Sequence, residues 1–112
     1  MLRQEDIADV IRRADAMEGE VEYTIRVLLK QLGAVDAEHA VHFIGNYPLL
    51  NSTEVGGGDP LVNIIDVWHD SEKGFRANYR EFGGSRVYKD VSLETEDYFY
   101  PKSILAFLMD KI

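Results

Sequence analysis

The residues whose types and spacing best suit chemistry are Glu38, His39 and His42. Two imidazoles and a carboxylate this close together suit zinc or another first-row divalent cation. On a helix, positions three and four apart share a face, so His42 would reach both Glu38 and His39. His69 or Asp70 would then complete the shell. The spacing departs from the zinc-protease pattern, in which two histidines stand four apart around a glutamate. A solvated helix face accounts for the same three residues and is the preferred reading. No metal and no cofactor is expected.

Trp68, His69 and Asp70 form a second group. Adjacent residues on an extended chain point to opposite faces, so this His and Asp do not pair as in a catalytic triad. Serines occur, but none stands in a nucleophile-elbow pattern. Gly56, Gly57 and Gly58 lead into Asp59, Pro60 and a strand, whereas a phosphate loop needs a following helix and a lysine. With no catalytic motif, the chain is not expected to be an enzyme. Arg76, Arg80 and Lys89 fall on one face of a predicted hairpin, with Asn78 among them. If Phe75, Ala77, Tyr79 and Tyr88 face the core, that stripe faces solvent, where it could meet an anion or an acidic partner.

Charge narrows the partner further. The 112 residues carry 20 acidic and 12 basic side chains and no cysteine, for a net charge of −8. Without cysteine there is no disulfide framework and no thiolate chemistry. Between Ala34 and Asp70 there is no Lys or Arg, while Asp36, Glu38, Glu54, Asp59, Asp66 and Asp70 all lie there. Such a field repels phosphate backbones and anionic membranes, so neither nucleic acid nor a lipid surface is expected as a partner. It favours a protein with a basic surface. Dispersed surface acids that only keep the protein soluble are the bland alternative. The first residues contain no apolar stretch of signal-peptide length, from which a cytoplasmic location is expected.

These groups need elements to position them. Ile7, Val10, Ile11, Ala14 and Met17, then Val21, Ile25, Leu28, Leu29 and Leu32, recur at helical spacing, with Gly33 as a stop. Gly19 leaves two arrangements open, one long bent helix or a helical hairpin. The near-continuous stripe also allows a homodimer through these helices. A short helix is expected from Asp36, as N-cap, to Ile44, followed by a long loop over residues 45–60 rich in Gly, Pro and Asn. From Leu61 to Trp68 the pattern is that of a strand, with a turn from His69 to Gly74. Two further strands flank Gly83 and Gly84, a tight-hairpin signal. The register then places Tyr79 opposite Tyr88, Arg80 opposite Val87 and Ala77 opposite Asp90. Tyr98, Phe99 and Tyr100 precede Pro101 and a last amphipathic helix.

The fold expected is a single α+β domain spanning residues 1–112. N-terminal helices pack on a three- to four-stranded antiparallel meander, closed by a C-terminal helix. The function expected is a small acidic intracellular inhibitor that engages the basic surface of a nucleic-acid-handling protein through Asp36, Glu38, Glu54, Asp59, Asp66 and Asp70. Immunity proteins, antitoxins and phage anti-restriction or anti-CRISPR proteins share this profile of size and charge. One alternative is a pocket for a small molecule, lined by Tyr47, Trp68, Phe75, Tyr79 and Tyr88, with His42 or His69 as acid or base. The other is the homodimeric assembly subunit.

Overall fold

The computed structural model describes residues 1–13, 18–49, 62–81, 84–93 and 101–112. Over these residues the chain is α+β. Two helices, α1 (Gln4–Arg12) and α2 (Glu18–Gln31), precede a 3-10 turn at Ala37–His39. Four strands follow, β1 (Val41–Leu49), β2 (Val62–Asp70), β3 (Gly74–Glu81) and β4 (Val87–Ser92), and then α3 (Pro101–Met109). The strands form one antiparallel meander in the order β1-β2-β3-β4. Among the described residues, no helix is long and apolar enough to cross a membrane.

The N-terminal stripe belongs to two helices, and their bonds make them an antiparallel hairpin. Leu2, just before α1, donates its N–H to Gln31 Oε1 at 2.8 Å, and Gln31 Nε2 returns a bond to the Leu2 carbonyl at 2.9 Å. At the other end Arg13 pairs with Glu20. Gly19 lies inside the first turn of α2, so the break falls before it. At the far end Gly33, at φ 77°, takes the left-handed conformation that glycine adopts without penalty. Ala34 N–H then bonds the Leu29 carbonyl at 2.8 Å and Gly33 N–H bonds that of Lys30 at 3.0 Å, which satisfies two carbonyls of the last turn.

The helices cover one face of the sheet. Ile7, Val10, Val21, Ile25, Leu28 and Leu29 are buried together with Phe43, Ile64, Val67, Phe75, Ala77 and Tyr79 from the strands and Ile104, Leu105 and Leu108 from α3. Phe43 stacks on Phe107 of α3, with ring centroids 3.8 Å apart, joining β1 to the last helix. Gln4 Nε2 donates to the Ile112 carbonyl at 2.8 Å, which ties the end of α3 to the start of α1. Of the apolar stripe that would serve a helix-mediated dimer, Ile7, Val10, Val21, Ile25, Leu28 and Leu29 are buried in the chain's own core, Ile11 and Leu32 pack against it, and Ala14 and Met17 lie outside the described residues. The aromatic face of the β3–β4 hairpin faces the core, as preferred from the sequence, with Tyr79 and Tyr88 stacked at 5.0 Å.

Three expectations are corrected. The helix expected from Asp36 to Ile44 is only the 3-10 turn Ala37–His39, after which the chain enters β1. Val41 and Phe43 satisfy a period of two as well as Val41 and Ile44 satisfy a helical one, and pairing with β2 decides between them. Residues 45–49 of the expected loop therefore lie in β1, while residues 50–61 lie outside the described residues. The turn after β2 is shorter than expected, because His69 and Asp70 still pair with Phe75 and Gly74. Finally, Ala77 lies opposite Val91 rather than Asp90. Between Tyr79↔Tyr88 and Ala77↔Val91, β4 carries one residue more than β3, a bulge that leaves Asp90 at φ 52°. A second irregularity in β2, between Ile64 and Asp66, keeps Ile64 and Val67 on the core face although they stand three apart.

Candidate functional site

The sheet face turned away from the helices carries a row of polar side chains that crosses all four strands. His42 of β1 is the register partner of Asp66 of β2, which in turn partners Asn78 of β3. The imidazole Nδ1 of His42 lies 2.8 Å from Asp66 Oδ1, and Asn78 Nδ2 donates to Asp66 Oδ2 at 2.8 Å. Asn78 Oδ1 accepts the backbone N–H of Asp90 at 2.9 Å. Arg76 closes the row, donating from Nε to Asp90 Oδ1 at 2.8 Å and from its guanidinium to the Asp90 carbonyl at 2.6 Å. Lys73 Nζ stands 3.9 Å from the other Asp90 oxygen.

The bulge explains why the row exists. The left-handed backbone at Asp90 displaces its N–H from the regular ladder, and the side chains of Asn78 and Arg76 bond the peptide groups that are left over. Asp66, its two oxygens held by different partners, fixes the ring of His42. An orienting carboxylate is what an acid–base histidine needs, and Asp66 supplies one to His42. The row is an oriented polar surface. Trp68, the register partner of Arg76, is 2% exposed and belongs to the core cluster.

The expected basic stripe is altered by the same bonds. Arg76 is engaged by Asp90 and its side chain is 18% exposed. Arg80 and Lys89 are exposed, and among the described residues no carboxylate pairs with them.

The acidic residues meet at one end of the sheet. His69 N–H bonds the Ala34 carbonyl at 3.0 Å and so holds the segment leading into β1 against the end of β2. Asp36 and Glu38 come from that segment, and Asp70 and Glu72 from the β2–β3 turn. Asp36 Oδ1 accepts the His39 N–H at 2.9 Å and lies 2.7 Å from His39 Nδ1. That hydrogen bond holds the Asp36 carboxyl below the usual carboxylate range and raises the His39 imidazole above its usual value. Asp70 Oδ1 accepts the N–H groups of Glu72 at 2.8 Å and Lys73 at 3.0 Å, and these bonds lower its pKa. Asp36 and Asp70 are thus carboxylates fixed in place by their own turns.

Of the six acids singled out from the sequence, Asp36, Glu38 and Asp70 lie at this end, Asp66 lies in the polar row, and Glu54 and Asp59 lie outside the described residues. Glu38, His39 and His42 do not converge, because the helix that would align them is absent and the two rings engage Asp36 and Asp66 instead. Among the described residues no group of three or more His, Asp or Glu is placed to hold a metal ion. Of the pocket proposed from aromatics, Phe75, Tyr79 and Trp68 are buried in the core cluster and Tyr88 packs against it. Asn78 is named from the sequence only as a neighbour of the basic stripe, and Asp90 only as a register position. Their signal was the presence of polar, turn-favouring residues inside strands, where Asn and Asp are depleted. Comparison with known protein families, with curated protein sequences and with solved structures found no match.

Proposed function

We propose that this chain is a protein-binding module whose acidic end engages the basic surface of a nucleic-acid-handling protein, acting as an inhibitor in the manner of an immunity protein, antitoxin or phage anti-restriction protein. One observation carries the reading. The His69 to Ala34 bond brings Asp36 and Glu38 to the same end of the sheet as Asp70 and Glu72, from segments far apart in sequence. Asp36 and Asp70 are held by backbone N–H groups, so their charges need little further ordering on association. Complementary charge of this kind speeds encounter and excludes wrong partners.

The test uses a variant that removes charge but keeps the turns: Asp36→Asn and Asp70→Asn retain an accepting oxygen, and Glu38→Lys reverses an exposed charge. The native chain, immobilised and exposed to an extract of its own host or of a competing phage or strain, should retain a basic nucleic-acid-handling protein. That association should weaken with rising salt and should be lost by the triple variant. Retention of no basic protein, or equal retention by the variant, overturns the proposal.

A further inference from the structure

A trough runs along the flank of α2 that faces the β2–β3 turn. Its larger part, about 540 Å³, lies among Tyr23, Arg26, Lys30, Val35 and His69. A smaller part of about 220 Å³ shares Tyr23, Arg26 and His69 and extends to Gly19 and Glu22. From Gly19 to Lys30 the helix rises about 16 Å, the length of about five residues of extended chain.

Two features of this trough bear on what it could hold. Tyr23 and Val35, 58% and 47% exposed, are two of the few large apolar side chains exposed among the described residues, and both line it. Arg26 and Lys30 stand one helical turn apart on its wall. Among the described residues neither pairs with a carboxylate, and the guanidinium of Arg26 lies 5.1 Å from the centre of the Tyr23 ring. The carboxylate of Asp70, at the nearby turn, is occupied by the N–H groups of Glu72 and Lys73. Along the trough the cations Arg26 and Lys30 therefore stand between two exposed apolar side chains, Tyr23 on one side and Val35 on the other.

The geometry points to a docking groove for a short acidic peptide segment of a partner protein, its carboxylates on Arg26 and Lys30 and an apolar side chain against Tyr23 and Val35. The groove is long and lies at the surface, whereas a small-molecule site buries most of its ligand. An extended peptide fits that length and supplies charge and apolar surface at alternate positions. The inference stands apart from the acidic end, since it calls for a ligand of opposite charge.

A random heptapeptide library displayed on phage, selected against the folded chain, tests it. The enriched peptides should carry at least two Asp or Glu beside an apolar residue. A synthetic copy of one should shift backbone amide signals of residues 23–35 and 69–71 in a saturable NMR titration. The double variant Arg26→Glu, Lys30→Glu should weaken binding about tenfold or more, equivalent to about 1.4 kcal/mol, because two charge contacts are reversed. Val87→Ser, an exposed change on β4, should leave binding unaltered. Both variants alter exposed side chains, and their melting curves check that they fold. Should the double variant not fold, Arg26→Gln and Lys30→Gln tested singly should each weaken binding. No enrichment, enrichment of neutral or basic peptides, signal shifts centred elsewhere, or undiminished binding by the Arg26 and Lys30 variants would each overturn the inference. Equal affinity for acetyl-aspartate amide would overturn the peptide in favour of a small anion.

Discussion

At the scale of single residues, the most informative side chains are those whose bonds join different strands or fix a turn. The Asp36–His39 pair is exposed, so its effect is read best from titration. With the His39 pKa raised, the protonated imidazole contributes stability at pH below its ordinary value, and this is lost as pH rises through the raised folded value. With the Asp36 pKa lowered, the carboxylate contributes above its ordinary value and is lost as pH falls through the lowered folded value. The ion pair is therefore intact between the two. An NMR titration should place the His39 midpoint above the usual imidazole value of about 6.5, and Asp36→Asn should move it down; an unmoved midpoint would remove the pairing. At Asp90 the left-handed backbone disfavours a β-branched residue. Asp90→Val should destabilise by about 2 kcal/mol, through strain at φ 52° and loss of the Arg76 bond, as measured by denaturant unfolding. Asp90→Asn keeps both an oxygen and the tolerance for this conformation, and should cost less than half as much.

Between elements, two contacts can be probed singly. Phe107→Ala removes the ring stacked on Phe43 and should cost about 2–3 kcal/mol, lowering Tm by roughly 10 °C or more. An unchanged Tm would mean that α3 is held without that stack. Gln31→Ala removes both bonds to Leu2 and should cost about 1 kcal/mol, with faster amide exchange in α1 than in the strands. The element scale is also where reading from sequence met its limit. Helical spacing and Gly33 located α2 and its end, and Pro101 the start of α3. The glycine pair placed the near end of the β3–β4 register, so that Tyr79↔Tyr88 and Arg80↔Val87 stand as expected. Further along the hairpin, the inserted residue of β4 shifted every pair. A bulge depends on which peptide groups find partners across the sheet, and no spacing within one strand reports that. β1 was missed for the same reason, since its ladder to β2 was invisible to local periodicity.

The molecule as a whole is divided by charge and by layer. One sheet face is covered by helices and the other presents the polar row, while the acidic end and the cationic trough both adjoin the β2–β3 turn. Because Leu28 is fully buried in the core, Leu28→Ala should act on folding and leave assembly alone: a loss of about 2–5 kcal/mol in stability with no change of sedimentation under folding conditions. A change in oligomeric state without loss of stability would return the stripe to the surface. The candidate surfaces were only half legible beforehand. Asp36, Glu38, Asp66 and Asp70 could be named from the basic-free stretch, but their separation into an acidic end and a polar row follows from pairing of β1 with β2 and from the His69 to Ala34 bond.

What the residues determined unaided was local: amphipathic periods, helix ends, the hairpin turn, the buried aromatic face of β3 and the sign of the charge. Side-chain spacing and backbone preference act within a few residues, and those features need nothing more. Tertiary structure alone decided that the segment after His39 is a strand, that Arg76 is bound to Asp90, and that His42 is oriented by Asp66. Each of these rests on a partner at least twelve residues away, brought close by strand order and by the irregularities that keep Ile64, Val67, Tyr88 and Val91 turned toward one core.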